Sequence, residues 1–181
     1  SLAAASGEDL GTTSDIVTDA LTAFGLQAGD AGHFADVLAQ ASANANTNVS
    51  MLGESFKYVA PVAGAMNYSV EDTSLALGLM ANASIKGSMA GTALKTSLAN
   101  MAAPTDSMAA AMDKYGISLT DSEGNMKSLR GVIDNLRGSL GGLSETEQTA
   151  AASTIFGKEA MAGMLAIINA SEEDYNKLST A

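Results

Sequence analysis

The sequence contains no cysteine, no tryptophan and only one histidine among its 181 residues. Without cysteine it cannot form a disulfide framework, a thiolate zinc site, an iron–sulfur cluster or a cysteine nucleophile. The single histidine, His33, argues against the common catalytic triads and against multi-histidine metal sites. We therefore expect His33 to be a surface or half-buried side chain.

Positive charge is also scarce. Nine Lys and Arg residues stand against twenty Asp and Glu residues, which gives a net charge of −11. A protein that binds nucleic acid needs a stripe of basic residues to displace counterions from the phosphates. The charge balance therefore predicts that nucleic acid is not a partner.

Long hydrophobic runs are missing as well. The longest stretch without a charged residue or histidine covers residues 37–53, and it contains Gln40, Asn44, Asn46 and Asn48. Such a polar stretch cannot cross a bilayer, so the sequence predicts no membrane span.

What the sequence does contain is enough apolar material for a core. Hydrophobic residues make up 46% of the chain and charged residues 16%, so a folded domain, or two small ones, is expected. The chain opens with Ser1–Ala5, which has neither an initiator Met nor a basic region. This start predicts a fragment of a longer polypeptide rather than a signal peptide.

Apolar residues recur at helical spacing along most of the chain, and capping residues stand where the pattern breaks. Capping boxes begin at Ser69 and Ser144, and Gly25 and Gly116 are placed to end helices. Pro61 predicts a break or kink within another helix. We predict a mainly α fold, an array or bundle of about eight to ten short helices.

One region predicts a departure from helix. Ile117, Ser118 and Leu119 alternate in polarity, and a polar, turn-forming run follows at residues 120–125. This pattern is typical of a small β-hairpin near residues 117–126. The same turn resembles a calcium-binding loop, but Gly124 stands fourth instead of sixth in it, so we favour a turn.

Pro104 marks the outer limit of a predicted helix, because the residue before a proline disfavours helical angles. We expect an N-terminal helical subdomain at residues 1–104 and a C-terminal helical subdomain, with the hairpin, at residues 105–181. Within the first, Leu94, Leu98 and Met101 fall at i, i+4 and i+7. This spacing predicts that Leu94 lies in the core and that Lys95 faces solvent.

The glycine-rich run Gly87–Lys95 has two interpretations. Glycines at the start of a helix can cradle a phosphate, but this run lacks the Gly-Lys-Ser/Thr ending and no strand precedes it. We therefore favour close packing of helices as its role.

Paired carboxylates are the other candidates for chemistry. Glu71 and Asp72, like Glu145 and Glu147, fall in the first turns of predicted helices, where the backbone dipole favours negative charge. We interpret them as helix caps rather than as the acid pair of a glycosidase. No catalytic, cofactor-binding or metal-binding residues are predicted.

Several blocks, taken together and in this order, resemble the conserved core region of phage tail tape measure proteins. They are Phe34–Leu38, Tyr58–Pro61, Gly87–Leu94, Ala103–Pro104, Tyr115–Ile117 and Ile155–Gly157. The most specific block is Gly-Ser-x-Ala-Gly-Thr-Ala-Leu at Gly87–Leu94, which precedes a proline. The family supplies no catalytic residues in this region.

The resemblance implies a non-enzymatic structural protein of a phage virion or a prophage, without cofactors, that takes part in tail assembly and determines tail length. Its implied partners are other tail proteins, namely the tube, the assembly chaperones and the tail tip, with self-association as a further option. It implies a location inside the virion tail, and in the host bacterial cytoplasm during assembly. The alternative is a domain of an injected tail effector, either a cell-wall hydrolase or a membrane-penetrating protein.

Residues that end helices indicate how this segment would contribute to tail length. One continuous helix of 181 residues would extend on the order of 270 Å, at about 1.5 Å per residue. The Gly, Asn and Pro stops divide the chain into short pieces instead. We therefore expect a compact segment, with the length-setting helices in flanking sequence.

Overall fold

The computed structural model describes residues 10–26 and 28–180, and in them the chain forms ten α-helices and one 3₁₀-helix, Ala28–Asp30. The mainly α fold is thus confirmed. Residues Ser1–Ala5, interpreted above as the start of a fragment, lie outside the described residues. The α-helices are α1 (Leu10–Ala23), α2 (Ala31–Asn44), α3 (Val49–Ala65), α4 (Val70–Asn82), α5 (Gly87–Ala102), α6 (Asp106–Tyr115), α7 (Leu129–Leu140), α8 (Glu145–Phe156), α9 (Lys158–Ile168) and α10 (Glu172–Ser179).

Side-chain caps explain where six of these helices begin. In each case a side-chain oxygen accepts the backbone N–H three residues further along, at 2.9 to 3.3 Å. Such caps satisfy donors that the first turn leaves unpaired. The helix starts predicted at Ser69 and Ser144 are confirmed. The capping residues are Asn48, Ser69, Thr105, Ser128, Ser144 and Ser171.

Pro61 does not end its helix. It lies inside α3, which continues to Ala65, so of the break or kink that the sequence predicted, the break does not occur. A proline removes one backbone hydrogen bond, and helices carry it when packing holds both sides. Val59 and Ala63, on either side of Pro61, are both fully buried. Burial of these flanking residues keeps α3 continuous.

The β-hairpin predicted near residues 117–126 is wrong. The described residues contain no strand, and this segment has only one isolated antiparallel bridge, between Thr120 and Met126. The Asp121 carboxylate accepts the N–H groups of Glu123 and Asn125 at 2.9 and 3.0 Å, which folds the tip into a tight turn. The Ser118 N–H donates to the Asn135 side chain of α7 at 3.1 Å, rather than to a partner strand.

The centre of the fold is α4. Ten of its 13 residues are buried, and it packs against α2, α3, α5, α7, α9 and α10. After Asp72 it carries no charged residue, and its apolar residues cover every side. A helix that is apolar all round is expected in the interior.

Helices on both sides of Pro104 contribute to one buried cluster. Leu77 of α4 and Leu94 of α5 belong to it, together with Ile133, Met164 and Ile167 from the later helices. Pro104 itself lies in the connection between α5 and α6. The division into subdomains at residue 104 stays a prediction.

Leu94 is 1% exposed and Lys95 is exposed, as the spacing predicted. We expect Leu94→Ala to lower the free energy of unfolding by about 2 to 5 kcal/mol, because the change removes buried apolar groups and leaves a cavity. Lys95→Ala should change it by less than about 0.5 kcal/mol. Urea unfolding of the two variants side by side measures both effects, and losses of equal size would contradict this core assignment.

Candidate interaction surface

The surface with the best case for function is built on a tight crossing of α3 and α5. Gly91 of α5 lies so close to α3 that a Cβ at its position would stand 2.3 Å from the Ser55 carbonyl oxygen. The Ser55 hydroxyl, itself buried, donates to the Gly87 carbonyl oxygen at 2.6 Å. The glycine-rich run therefore serves close helix packing, which confirms the favoured interpretation.

Large apolar side chains are exposed on these two helices. Met51 and Tyr58 of α3 are 41% and 39% exposed, and Met89 of α5 is 66% exposed. Met126, on the turn before α7, is the fourth large apolar side chain exposed among the described residues. Met and Tyr are enriched in protein interfaces, and a group of exposed apolar side chains marks an interaction site.

Helical spacing places these side chains on the outer side of the crossing. Met51 and Tyr58 are seven residues apart and so lie on the same side of α3. Ser88, Thr92 and Lys95 form the corresponding exposed row on α5. Both helices turn their apolar sides inward, so the two exposed rows face outward together. We call Met51, Tyr58, Ser88, Thr92 and Lys95, together with the exposed Met89 beside Ser88, the α3–α5 face.

The α3–α5 face lies in the least charged part of the chain. Residues 37–105 contain three acidic and three basic residues, whereas the remaining sequence contains 17 acidic and six basic residues. Depletion of charge is the compositional mark of an interface core. The face therefore differs in charge from the acidic remainder of the protein.

A groove of about 260 Å³ borders this face, between α5 and α9. Ile85, Met89 and Ala93 line one side of it, and Ala160 and Gly163 line the other. The two helices come so close at Gly163 that a Cβ at its position would lie 2.9 Å from the Ala93 Cβ. The groove is mainly apolar, although Glu159 and the hydroxyls of Ser88 and Thr92 also line it, and it has room for a side chain of a bound partner.

His33 lies on the surface, as predicted, and its Nε2 is hydrogen-bonded to the Glu71 carboxylate of α4. The neighbouring Asp72 accepts the backbone N–H of Arg130 at 3.1 Å and so caps the start of α7. These carboxylates therefore join α4 to other helices, in keeping with their interpretation as caps. Within the described ranges, no group of three or more His, Asp and Glu side chains is arranged to hold a metal ion.

A helix that crosses a membrane must be both long and apolar. None of the helices described in residues 10–26 and 28–180 combines the length and the apolar content that a membrane crossing needs.

Sequence reasoning missed the α3–α5 face, although one signal for it was present. The scarcity of charge between residues 37 and 105 is visible without a structure. Which of the apolar residues in that segment stay exposed depends on how α3 and α5 pack, so the exposed members could not be identified.

Comparisons with known proteins agree with one another. A profile of the family described as "Phage-related minor tail protein" matches residues 1–157. The chain is similar to the tape measure protein of Pneumococcus phage Dp-1, with 43% identity over 180 residues, which are 99% of this chain and 16% of that protein. It is 29% identical over 163 residues to the probable tape measure protein of Escherichia phage P2, covering 88% of this chain and 20% of that protein. The chain thus spans a fifth or less of these relatives, and no solved structure matches it.

The His33–Glu71 pair predicts a pH-dependent contribution to stability. Partial burial raises the pKa of the Glu71 carboxyl, but hydrogen bonds from His33 and the backbone, with the positive charge of His33, lower that pKa below its ordinary value. A carboxyl whose pKa falls on folding stabilises the fold above its unfolded pKa, and this gain is lost as the pH falls through the folded pKa. We expect Glu71→Gln to lower the Tm near neutral pH. The difference from the unsubstituted chain should shrink as the pH falls below about 4.3, the ordinary value for a glutamate, and vanish once the Glu71 carboxyl is protonated in the folded state.

Thermal melts over a range of pH measure this difference. Glu173→Gln is the matched control, because Glu173 is an exposed glutamate at the second position of α10, as Glu71 is of α4, but it has no hydrogen bond to a histidine. The part of the Glu71→Gln effect that exceeds the Glu173→Gln effect belongs to the contact with His33. A Glu71→Gln effect that persisted undiminished in acid would contradict the role of the charged carboxylate.

Proposed function

The chain belongs to the family of phage-related minor tail proteins, and we propose that it is a structural, non-enzymatic module of a tape measure protein that takes part in tail assembly and length determination. The observation that carries this proposal is the 43% identity to a tape measure protein along 99% of the chain. A match of that extent supports a shared role for the whole module rather than for one motif.

The short helices support the view that this module is not itself the ruler of tail length. The longest described helix, α3, has 17 residues, so it reaches about 26 Å at roughly 1.5 Å per residue. A ruler of tail length needs a far longer rigid element. We propose that this module folds and docks, while other parts of the full-length protein set the length.

We further propose that the partners are other tail proteins, namely the tube, the assembly chaperones or the tail tip, and that they bind the α3–α5 face. The exposed Met51, Tyr58 and Met89, together with the low charge of residues 37–105, support this surface. The acidic remainder of the protein fits poorly with nucleic acid as a partner. This role places the module inside the virion tail and, during assembly, in the host bacterial cytoplasm.

The proposed function is tested in the phage or prophage that encodes the full-length protein. We expect Tyr58→Glu combined with Met89→Glu to reduce the number of assembled tails about tenfold or more, because two charges would enter a desolvated contact. The tails that still form should have normal length, since the docking module does not set it. Electron microscopy of lysates counts the tails and measures their length.

Met126→Glu is the matched control, since Met126 is equally apolar and is 50% exposed outside the α3–α5 face. It should leave the number of tails unchanged. Thermal melts of the isolated chain should show that all these variants stay folded. A normal number of tails from the folded double variant would overturn the assignment of the surface.

A further inference from the structure

The size and shape of the groove between α5 and α9 indicate what kind of group it can hold. On α5 its lining runs from Ser88 through Thr92 to Thr96, a distance of about 12 Å at roughly 1.5 Å per residue. Its volume of about 260 Å³ lies below the range of roughly 300 to 1,000 Å³ that is typical of pockets for small molecules. A groove of this size, about two helical turns long, fits a helix that inserts one large side chain.

Small residues form the floor of the groove. Ala93 and Ala160 are 6% and 1% exposed, and the buried Gly163 adds no side chain. Met89, on the α5 side, is 66% exposed and so protrudes beside this floor. Because methionine adapts its shape to an apolar neighbour, Met89 would pack against an aliphatic side chain that enters the groove.

Hydroxyl groups on the α5 side of the groove are available to a partner. In other helices, the hydroxyls of Thr22, Thr73 and Thr154 donate to the backbone carbonyl four residues earlier, at 2.8 to 3.1 Å. Serine and threonine hydroxyls within a helix commonly bond in this way. Within the described part of the chain, the Thr92 and Thr96 hydroxyls make no hydrogen bond. They can therefore bond to polar groups of a helix that lies in the groove.

The groove also carries an uncompensated negative charge. Glu159, in the first turn of α9, is the one charged side chain among the described lining residues, and it is exposed. It has no ionic partner among the described residues, and the neighbouring Lys158 does not line the groove. The net charge of the whole chain is −11. A cation on a partner is therefore attracted to this groove, and an anion is repelled from it.

We propose that this groove binds an amphipathic helix of a partner protein that carries a large aliphatic residue on its apolar side and a lysine or arginine beside that residue. The aliphatic side chain would cover the small-residue floor next to Met89. The lysine or arginine would pair with Glu159. Thr92 and Thr96 would bond to polar groups at the edge of the partner helix.

A second copy of this chain is a poorer occupant. Each copy has a net charge of −11, so their contact would bring like charges together. A partner with a basic amphipathic helix has the complementary charge. This choice of partner rests on the proposed function, in which other tail proteins bind beside the groove. Peptide binding is measured without tails, so its result is independent of the tail count that tests the proposed function.

A display library of helical peptides tests this partner chemistry. Each peptide has about 18 residues, because shorter helices are marginal in water. Its alanine-based sequence is randomised at three positions on one side and at two flanking positions. Selection on the unsubstituted chain, with counter-selection on Ala162→Phe, retains the peptides that need the groove. Ala162 is exposed and lines the groove, so a phenylalanine there would fill the groove without entering the core.

We expect the retained peptides to carry leucine, isoleucine or methionine on the apolar side, and lysine or arginine several times more often than aspartate or glutamate at the flanking positions. Fluorescence anisotropy then measures the affinity of the most frequent peptide. Ala162→Phe should weaken it about tenfold or more, and Glu159→Gln about two- to fivefold, as for one exposed ion pair. Ala110→Phe in α6 and Glu173→Gln in α10 make the same changes at exposed positions outside the groove, and they should leave the affinity unchanged.

Four results would overturn the proposal. The first three are the absence of any peptide that needs the groove, flanking positions as often acidic as basic, and equal weakening by Glu173→Gln and Glu159→Gln. The fourth is a dimer of the unsubstituted chain, measured by light scattering, that Ala162→Phe converts to a monomer, since a second copy would then occupy the groove. Because Ala162 and Glu159 are exposed, their variants should fold normally, and thermal melts check this directly.

Discussion

The contact between the backbones of Ser55 and Gly91 is the constraint on which the rest of the structure depends. It brings α3 and α5 together in the most extensive packing of any two described helices. The intervening helix α4 joins them in sequence and packs against both, so their pairing helps to enclose it. Burial of α4, which is apolar on nearly every side, follows from this arrangement. The outer side of the same crossing presents the α3–α5 face.

Other crossings use the same device. A Cβ at Gly64 of α3 would lie 2.7 Å from the Ala23 carbonyl oxygen of α1, and one at Gly78 of α4 would lie 3.0 Å from Leu178 of α10. Glycine within a helix costs up to about 1 kcal/mol relative to alanine. Close packing offsets that cost only where a second helix approaches, as it does at these positions.

Local patterns in the sequence identified the helices but not the way they assemble. Caps such as Ser69 and the i, i+4, i+7 spacing that begins at Leu94 depend on neighbours along the chain, so the sequence alone predicts them. The alternation at Ile117–Leu119 was too short to separate a strand from a connection, and only the bond to Asn135 shows which one forms. A cavity between α2, α4, α7 and α10 could not be predicted, because it unites Asp36 and Leu178, which are far apart in the sequence.

Replacement of Gly91 by alanine tests the organising role of the α3–α5 crossing most directly. In an open helical position, glycine to alanine stabilises a protein by up to about 1 kcal/mol, and Gly138→Ala in α7 should do so because a Cβ there meets no atom within 4 Å. At Gly91 the added methyl group would collide with the Ser55 carbonyl oxygen and force the helices apart. Measured by urea unfolding, Gly91→Ala should lower the free energy of unfolding by about 1 to 3 kcal/mol or more. If Gly91→Ala stabilised the protein as Gly138→Ala does, the crossing would not be the constraint described.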